Sequence, residues 1–239
     1  MKIDIWSDIA CPYCYIGKRK LEMALARFPH KDNVELVWYS YELDPTLPKD
    51  SLAKSHYAYL AGQRGIKQSE AKNMSAQVAK VAKEVGLKFN FDRLIVTNTS
   101  DALRLVELAK RHNLTDEMEE ALFKAHFTDS ENVSDKSVLI RLGVQVGLKG
   151  KQIINMLSGN LFVADIQKDI EYSETKLNLE YIPFYLFNNK HIVQGSISVD
   201  DYLEVLNKSY AEWEKEGVAT EQENAINGQA CSIDGNCSI

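Results

Sequence analysis

Two cysteines separated by two residues lie near the start of the chain, in the motif Cys-Pro-Tyr-Cys at positions 11–14. The preceding residues 2–6 alternate in polarity and predict a strand, and apolar residues recur at helical spacing after the motif as far as Phe28. Cys11 is therefore expected at a helix N-terminus, where unpaired backbone N–H groups and the helix dipole favour a thiolate. Cys14 lies one turn later on the apolar face, so we expect it to be buried and less reactive.

This asymmetry suits a dithiol redox catalyst. A Cys11 thiolate attacks a substrate disulfide, and Cys14 then resolves the mixed disulfide. Tyr13 brings no positive charge to the thiolate, which favours a reductant or isomerase over a strong oxidant. Two other interpretations are half of a zinc site, although no second pair with ligand spacing accompanies it, or two buried structural thiols.

Other residues are weaker candidates. Cys231 and Cys237 lie in a polar C-terminal segment, and they are either incidental exposed thiols or an auxiliary redox pair that relays electrons to or from the first. His126 is expected to be an ordinary core or surface histidine, and the basic run at residues 18–20 a solvated helix face. Asp8 is either a turn residue or a group that tunes proton transfer to the buried thiol.

Composition narrows the function classes. The chain has 239 residues, 28 Lys and Arg against 34 Asp and Glu, and a net charge of −6. This balance is typical of a globular protein, and the absence of a basic block argues against a nucleic-acid partner. No apolar run is long enough for a membrane span or a signal peptide, so we expect a cytoplasmic protein, or else an already processed mature form. No metal and no bound cofactor are expected.

The chain divides into strand-rich ends and a helical middle. Residues 34–41 predict a second strand, and residues 50–177 read as consecutive helices, including an apolar stripe that begins at Met74. Phe184 to Phe187 and His191 to Gln194 predict a hairpin around a two-residue Asn-Asn turn.

A final amphipathic helix follows Ser198, and beyond Gly217 the pattern is that of a tail. The predicted fold class is α/β: a β-α-β unit and a β-β-α unit that form one sheet, with an inserted all-helical domain. The expected domains are residues 1–48 with 178–216, an insertion at 49–177, and a C-terminal tail at 217–239 that carries the second cysteine pair.

A proline directly before the aromatic strand completes the pattern. Pro183 either simply opens that strand or is a cis proline that forms one wall of the redox site. Five segments carry a resemblance to a known family: the motif at 11–14, the Tyr-Glu-Leu-Asp-Pro loop at 41–45, the helix start at 98–102, the Phe-Thr-Asp segment at 127–129 and the strand at 182–187. On these segments the chain resembles the DsbA-like branch of the thioredoxin superfamily, FrnE type.

The resemblance implies a thioredoxin fold, thiol–disulfide oxidoreductase activity on protein or small disulfides, and a cis Pro183. It also implies that Ile182 offers its backbone to an extended substrate. Glutathione or a dithiol protein is the expected electron donor, and the sequence leaves open whether the protein is a monomer or a homodimer. Tyr181 stands where relatives commonly carry glycine two residues before the proline.

Two alternative functions remain open at this point. One is a chaperone-like module that binds unfolded chains, and the other is glutathione-dependent isomerisation of the kappa-class or hydroxychromene-carboxylate type. Relatives of that second type carry serine at the first motif position, whereas this chain has Cys11 and Cys14.

Overall fold

The structure, a computed structural model, describes residues 1–49 and 54–223. Cys231 and Cys237 lie outside these ranges. The strands are β1 Lys2–Ser7, β2 Glu35–Ser40, β3 Phe184–Phe187 and β4 His191–Gln194. The helices are α1 Pro12–Arg27, α2 His56–Arg64, α3 Gln68–Glu84, α4 Ser100–Lys110, α5 Thr115–Phe123, α6 Lys136–Val146, α7 Gly150–Ser158, α8 Val163–Lys176 and α9 Val199–Glu223, with a short 3₁₀ turn at Lys31–Asn33 and a π-helical turn at Lys124–Thr128.

The four strands form one sheet in the order β2-β1-β3-β4. β1 pairs with β2 in parallel, and it pairs with β3 in the antiparallel direction, as β3 does with β4. The predicted β-α-β and β-β-α units therefore meet along β1, and the sheet carries the fold class expected from the sequence. This pairing places the end of β1 beside the start of β3, so the residues after one strand lie close to those before the other.

Two main cores flank this arrangement. One face of the sheet packs against α1 and α9 through buried side chains such as Ile5, Tyr185 and Leu206. A larger core fills the helical block and takes in Cys14 and Ile16 from α1. Because α1 contributes to both cores, the helical block packs directly against the cysteine motif. The division of the chain at residues 48 and 178 stays a prediction.

Several local predictions need correction. The hairpin loop has three residues, because Phe187 pairs with His191, and Asn188 and Asn189 both take positive φ there. Met74 is exposed, since the buried face of α3 runs through Ala71, Ser75 and Ala82 instead.

The tail prediction was also partly wrong. The backbone of α9 continues past Gly217 to Glu223, because a single glycine within a helix costs only about 1 kcal/mol and the following Ala, Glu and Gln residues favour helix.

The basic run at residues 18–20 is not a uniformly solvated face. Lys18 is only 2% exposed, and its ammonium group pairs with Glu22 and with Asp116 of α5, the latter at 2.8 Å. A buried lysine needs such partners because an unpaired buried charge is costly. The partner on α5 is about a hundred residues away along the chain, so local sequence gives no sign of it. Lys18 therefore helps to fix α1 against the helical block.

Candidate active site

The cysteine motif lies at the junction of β1 and α1. Cys11 is the N-cap of α1, and its Sγ accepts the backbone N–H of Cys14 at 3.3 Å, in the way that a serine or threonine oxygen usually caps a helix. Pro12 follows at the first helical position, where its missing N–H costs no hydrogen bond. The Cys11 sulfur therefore receives a backbone donor and faces the positive end of the helix dipole, and both favour an anion at this atom.

The two thiols differ in environment. Both are free; Cys14 is 1% exposed and Cys11 4%. Burial raises the pKa of the Cys14 thiol well above its usual value, and the neighbouring Cys11 raises it further, while the Asp8 N–H and the Ser7 hydroxyl oppose this. Cys14 is therefore held as a neutral thiol. Of the pair, Cys11 is the slightly more exposed residue.

One wall of the site is formed by the residues before β3. The Ile182–Pro183 bond is cis, as expected, and the Cys11 thiol donates to the Ile182 carbonyl across 3.8 Å. Within the described residues the Ile182 N–H makes no hydrogen bond. The Pro183 carbonyl accepts the N–H of Gly195 at 2.8 Å, which fixes this loop to the end of β4. Tyr181, where relatives commonly carry glycine, has a side chain that is 66% exposed.

Gly17 of α1 allows this wall to approach. A Cβ at this position would lie 2.5 Å from the Tyr185 hydroxyl oxygen and 3.0 Å from Pro183 Cγ, both closer than side chains tolerate. From the sequence, Gly17 was predicted only to lie on the apolar face of a helix, and this role was not predicted. No local signal identifies it, because the contact depends on how β3 packs over α1.

Asp8 lies beneath the turn before Cys11 and holds it by hydrogen bonds. Its side chain is fully buried, with Oδ1 accepting the Ala10 N–H at 3.1 Å and the Thr99 hydroxyl at 2.7 Å. Its Oδ2 accepts the Leu43 N–H at 2.7 Å, and its carbonyl accepts the Cys11 N–H at 2.9 Å. Burial raises the pKa of Asp8 to about 6 against the lowering effect of these donors. Thr99 and Leu43 fall in the segments that carry the family resemblance, although no role could be predicted for either residue from the sequence.

The remaining candidates lie elsewhere or outside the description. His126 is buried among aromatic rings in the π-helical turn, and burial lowers its pKa to about 3, so it is a neutral core residue. Within residues 1–49 and 54–223, no group of three His, Cys, Asp or Glu side chains is placed to hold a metal ion. In the same part of the chain, no helix is long and apolar enough to cross a membrane.

Together these residues can carry out sulfur exchange. The Cys11 sulfur lies at a helix N-terminus, and the protonated Cys14 sulfur lies three residues later. Ile182, whose carbonyl lies 3.8 Å from the Cys11 sulfur, has an unpaired backbone N–H within the described residues. This arrangement provides a nucleophile, a resolving group and a backbone contact for a bound disulfide.

Comparison with known proteins shows the family and the fold of the chain. The sequence profile of the DSBA-like thioredoxin domain matches residues 2–207. A structure from Streptomyces coelicolor, described as a probable DsbA oxidoreductase, superposes with a TM-score of 0.84 at 28% identity, covering 100% of this chain and 99% of that one.

Two more distant relatives are similar over most of their length. The uncharacterized protein YwbO of Bacillus subtilis is 24% identical over 200 residues, which cover 83% of this chain and 92% of that protein. The cytosolic disulfide reductase DsbM of Pseudomonas aeruginosa, solved with glutathione, has a TM-score of 0.60 at 15% identity, covering 90% of this chain and 98% of that one. At that identity the likeness concerns the fold alone.

Proposed function

We propose that this chain, which belongs to the family of DSBA-like thioredoxin domains, is a thiol–disulfide oxidoreductase that acts through Cys11 and Cys14. The observation that carries the proposal is the position of the Cys11 sulfur as the N-cap of α1, beside the backbone of Ile182. A structural thiol needs neither feature. A metal site would need further ligands, and no group of three His, Cys, Asp or Glu side chains in the described ranges 1–49 and 54–223 is placed to supply them.

The reaction proceeds in two exchanges. The Cys11 thiolate attacks one sulfur of a substrate disulfide, forms a mixed disulfide, and releases the other substrate sulfur as a thiolate that takes up a proton. Cys14 then loses its proton to solvent and attacks Cys11 Sγ. The second substrate thiolate leaves, so the substrate gains two electrons and the cysteine pair becomes a disulfide. Two glutathione thiols or one dithiol protein restore the pair, and an oxidant would run the cycle in reverse.

The cis-proline loop is proposed to position the substrate. An extended segment beside Ile182 would place an acceptor opposite its free N–H, in the way that an added strand pairs with a sheet edge. Pro183 keeps this backbone next to Cys11, and the exposed Tyr181 would contact the substrate on its outer side.

Further assignments belong to the same proposal. Glutathione as electron donor and a cytoplasmic location are part of the proposal; the DsbM relative, which shares the fold, is itself a cytosolic reductase solved with glutathione. The FrnE-type assignment, a monomeric or homodimeric state and the relay role of Cys231 and Cys237 stay predictions. If the relay exists, the oxidation state of Cys231 should change during turnover and should stop changing in a Cys11→Ser protein.

The test compares turnover of a peptide disulfide, with glutathione as reductant, across three variants. Cys11→Ser should abolish turnover, and Cys14→Ser should retain only residual, glutathione-dependent turnover. The double variant Cys231→Ser/Cys237→Ser shows how much of the turnover depends on a relay through the second pair. Full activity in Cys11→Ser would leave the chaperone-like interpretation standing. Equilibration of the Cys11–Cys14 pair in glutathione buffers then gives its reduction potential, which decides the direction of electron flow. A difference of about 30 mV in this potential corresponds to a tenfold change in the equilibrium constant.

A further inference from the structure

Asp8 joins three segments that meet at the nucleophile. Its carboxylate accepts three hydrogen bonds: from the Ala10 N–H in the turn before Cys11, from the Leu43 N–H in the loop after β2, and from the hydroxyl of Thr99, which directly precedes α4. The loop and the helix start belong to distant parts of the chain. The turn that carries Cys11 is thus fixed to two separate elements through one side chain, and the Cys11 N–H is held by the same residue's carbonyl.

The two backbone donors require an ionised carboxylate. The Ala10 N–H points to Oδ1 and the Leu43 N–H to Oδ2, so each oxygen must act as an acceptor. The amide of an asparagine presents one acceptor oxygen and one NH2 donor to these N–H groups, and a protonated carboxyl presents one full acceptor and a hydroxyl oxygen that accepts more weakly. One buried backbone N–H would then face a donor or the weaker acceptor. The Thr99 hydroxyl can rotate to accept instead, so the conflict falls on Ala10 or Leu43.

We propose that the ionised Asp8 carboxylate is the positioning group of the redox site, and that losing either acceptor oxygen frees the turn and slows exchange at Cys11. This inference rests on the proposed function. Asp8 does not touch the reacting sulfurs through its carboxylate, so it acts by holding the turn. Its role differs from that of a base that takes a proton from Cys14.

The surroundings of Asp8 make its protonation measurable. Its pKa of about 6 leaves it about nine-tenths protonated at pH 5 and almost fully ionised at pH 7.5. Burial is the main cause, and the donor bonds oppose it. The other titratable groups that face it come from the loop after β2, from α2 and from α5: Tyr41, Glu42, Tyr59 and Glu119.

The experiment follows the amide resonances of Ala10 and Leu43 by NMR between pH 5 and 7.5, with the exchange rate against a peptide disulfide. Both amides should titrate together near pH 6, and Asp8→Asn should abolish this titration. Asp8→Asn should also slow exchange at pH 7.5 about tenfold, equivalent to ~1.4 kcal/mol. Asp4→Asn is the matched control and should keep the wild-type rate, because Asp4 is a buried carboxylate on β1, the strand that precedes Asp8, where it pairs with Lys2.

A second pair of variants keeps the test decisive if Asp8→Asn fails to fold. Thr99→Val removes one donor that lowers the pKa of Asp8, so the midpoint should rise, whereas Thr99→Ser keeps the hydroxyl and should keep the midpoint. An unchanged midpoint in Thr99→Val, or a wild-type rate in folded Asp8→Asn, overturns the proposal. No exchange in wild type, with the midpoint still responding to Thr99→Val, contradicts the proposed function instead and leaves the hydrogen-bond role of Asp8 standing.

Discussion

Replacing Glu119 by glutamine should stabilise the protein, and increasingly so as the pH rises. Glu119 lies on α5, is 2% exposed, and has no hydrogen-bond partner for its Oε2 within the described residues. Burial raises its pKa to about 8; the nearby charge of Lys18 lowers it, and Asp116 raises it. The folded protein therefore keeps a proton on this carboxyl at neutral pH, whereas the unfolded chain does not.

The sign and size follow from proton linkage. A carboxyl with a raised pKa contributes its full stability below its unfolded value, 4.5, and that stability is lost as the pH rises toward 8. Each pH unit in this window corresponds to about 1.4 kcal/mol. Glu119→Gln should therefore differ from wild type by less than about 1 kcal/mol at pH 5 and should be more stable by about 3 kcal/mol at pH 7.

The measurement is urea unfolding of both proteins at pH 5, 6, 7 and 8. The difference between them is the quantity to follow, because two histidines favour folding as the pH rises and mask the wild-type slope. These are the half-buried His56 and the buried His126, whose pKa values burial lowers to about 4 and about 3. Glu117→Gln, an exposed change on the same helix, is the control and should add no slope. A Glu119→Gln advantage that is equal at pH 5 and pH 8 would refute the reasoning.

Two further substitutions test the packing around the site and the helical block. Gly17→Ala should push Pro183 away from the motif, lower the free energy of unfolding by about 1–3 kcal/mol and slow exchange. Gly62→Ala is the control and should be neutral or slightly stabilising, because nothing lies within 4 Å of its added Cβ. Urea unfolding and turnover assays check both variants. Arg104→Met should cost about 3–5 kcal/mol in urea unfolding, because it leaves the buried Asp101 with only the exposed Lys49 as a cationic partner. A loss under about 1 kcal/mol would show that Lys49 or solvent replaces Arg104.

Much of the fold was predictable from local pattern. The strands, the first helix and the cap of α9 by Ser198 follow from short-range periodicity and capping chemistry, and the structure confirms them. Such signals act within one turn or one hairpin, so they survive in any tertiary context that keeps the elements. The motif at 11–14 was readable for the same reason, because a strand end, a helix start and a proline coincide there.

The residue roles that could not be predicted from the sequence depend on partners that are distant along the chain. Lys18 looks like a surface lysine until Asp116 of α5 is brought against it, and Gly17 looks like any small helix residue until Pro183 lies over it. Asp8 was recognised as a candidate, but its three donors come from separate segments. Tertiary contacts of this kind decide burial and protonation, and periodicity does not encode them.

The most direct test of the account is to trap the intermediate. Cys14→Ser protein, mixed with a peptide disulfide and quenched with acid, should carry the peptide on Cys11 alone when its fragments are analysed by mass spectrometry. The same experiment on Cys11→Ser should yield no adduct at Cys14, whose buried thiol is held protonated. An adduct on Cys14, or none at Cys11, would contradict the assignment of nucleophile and resolving thiol.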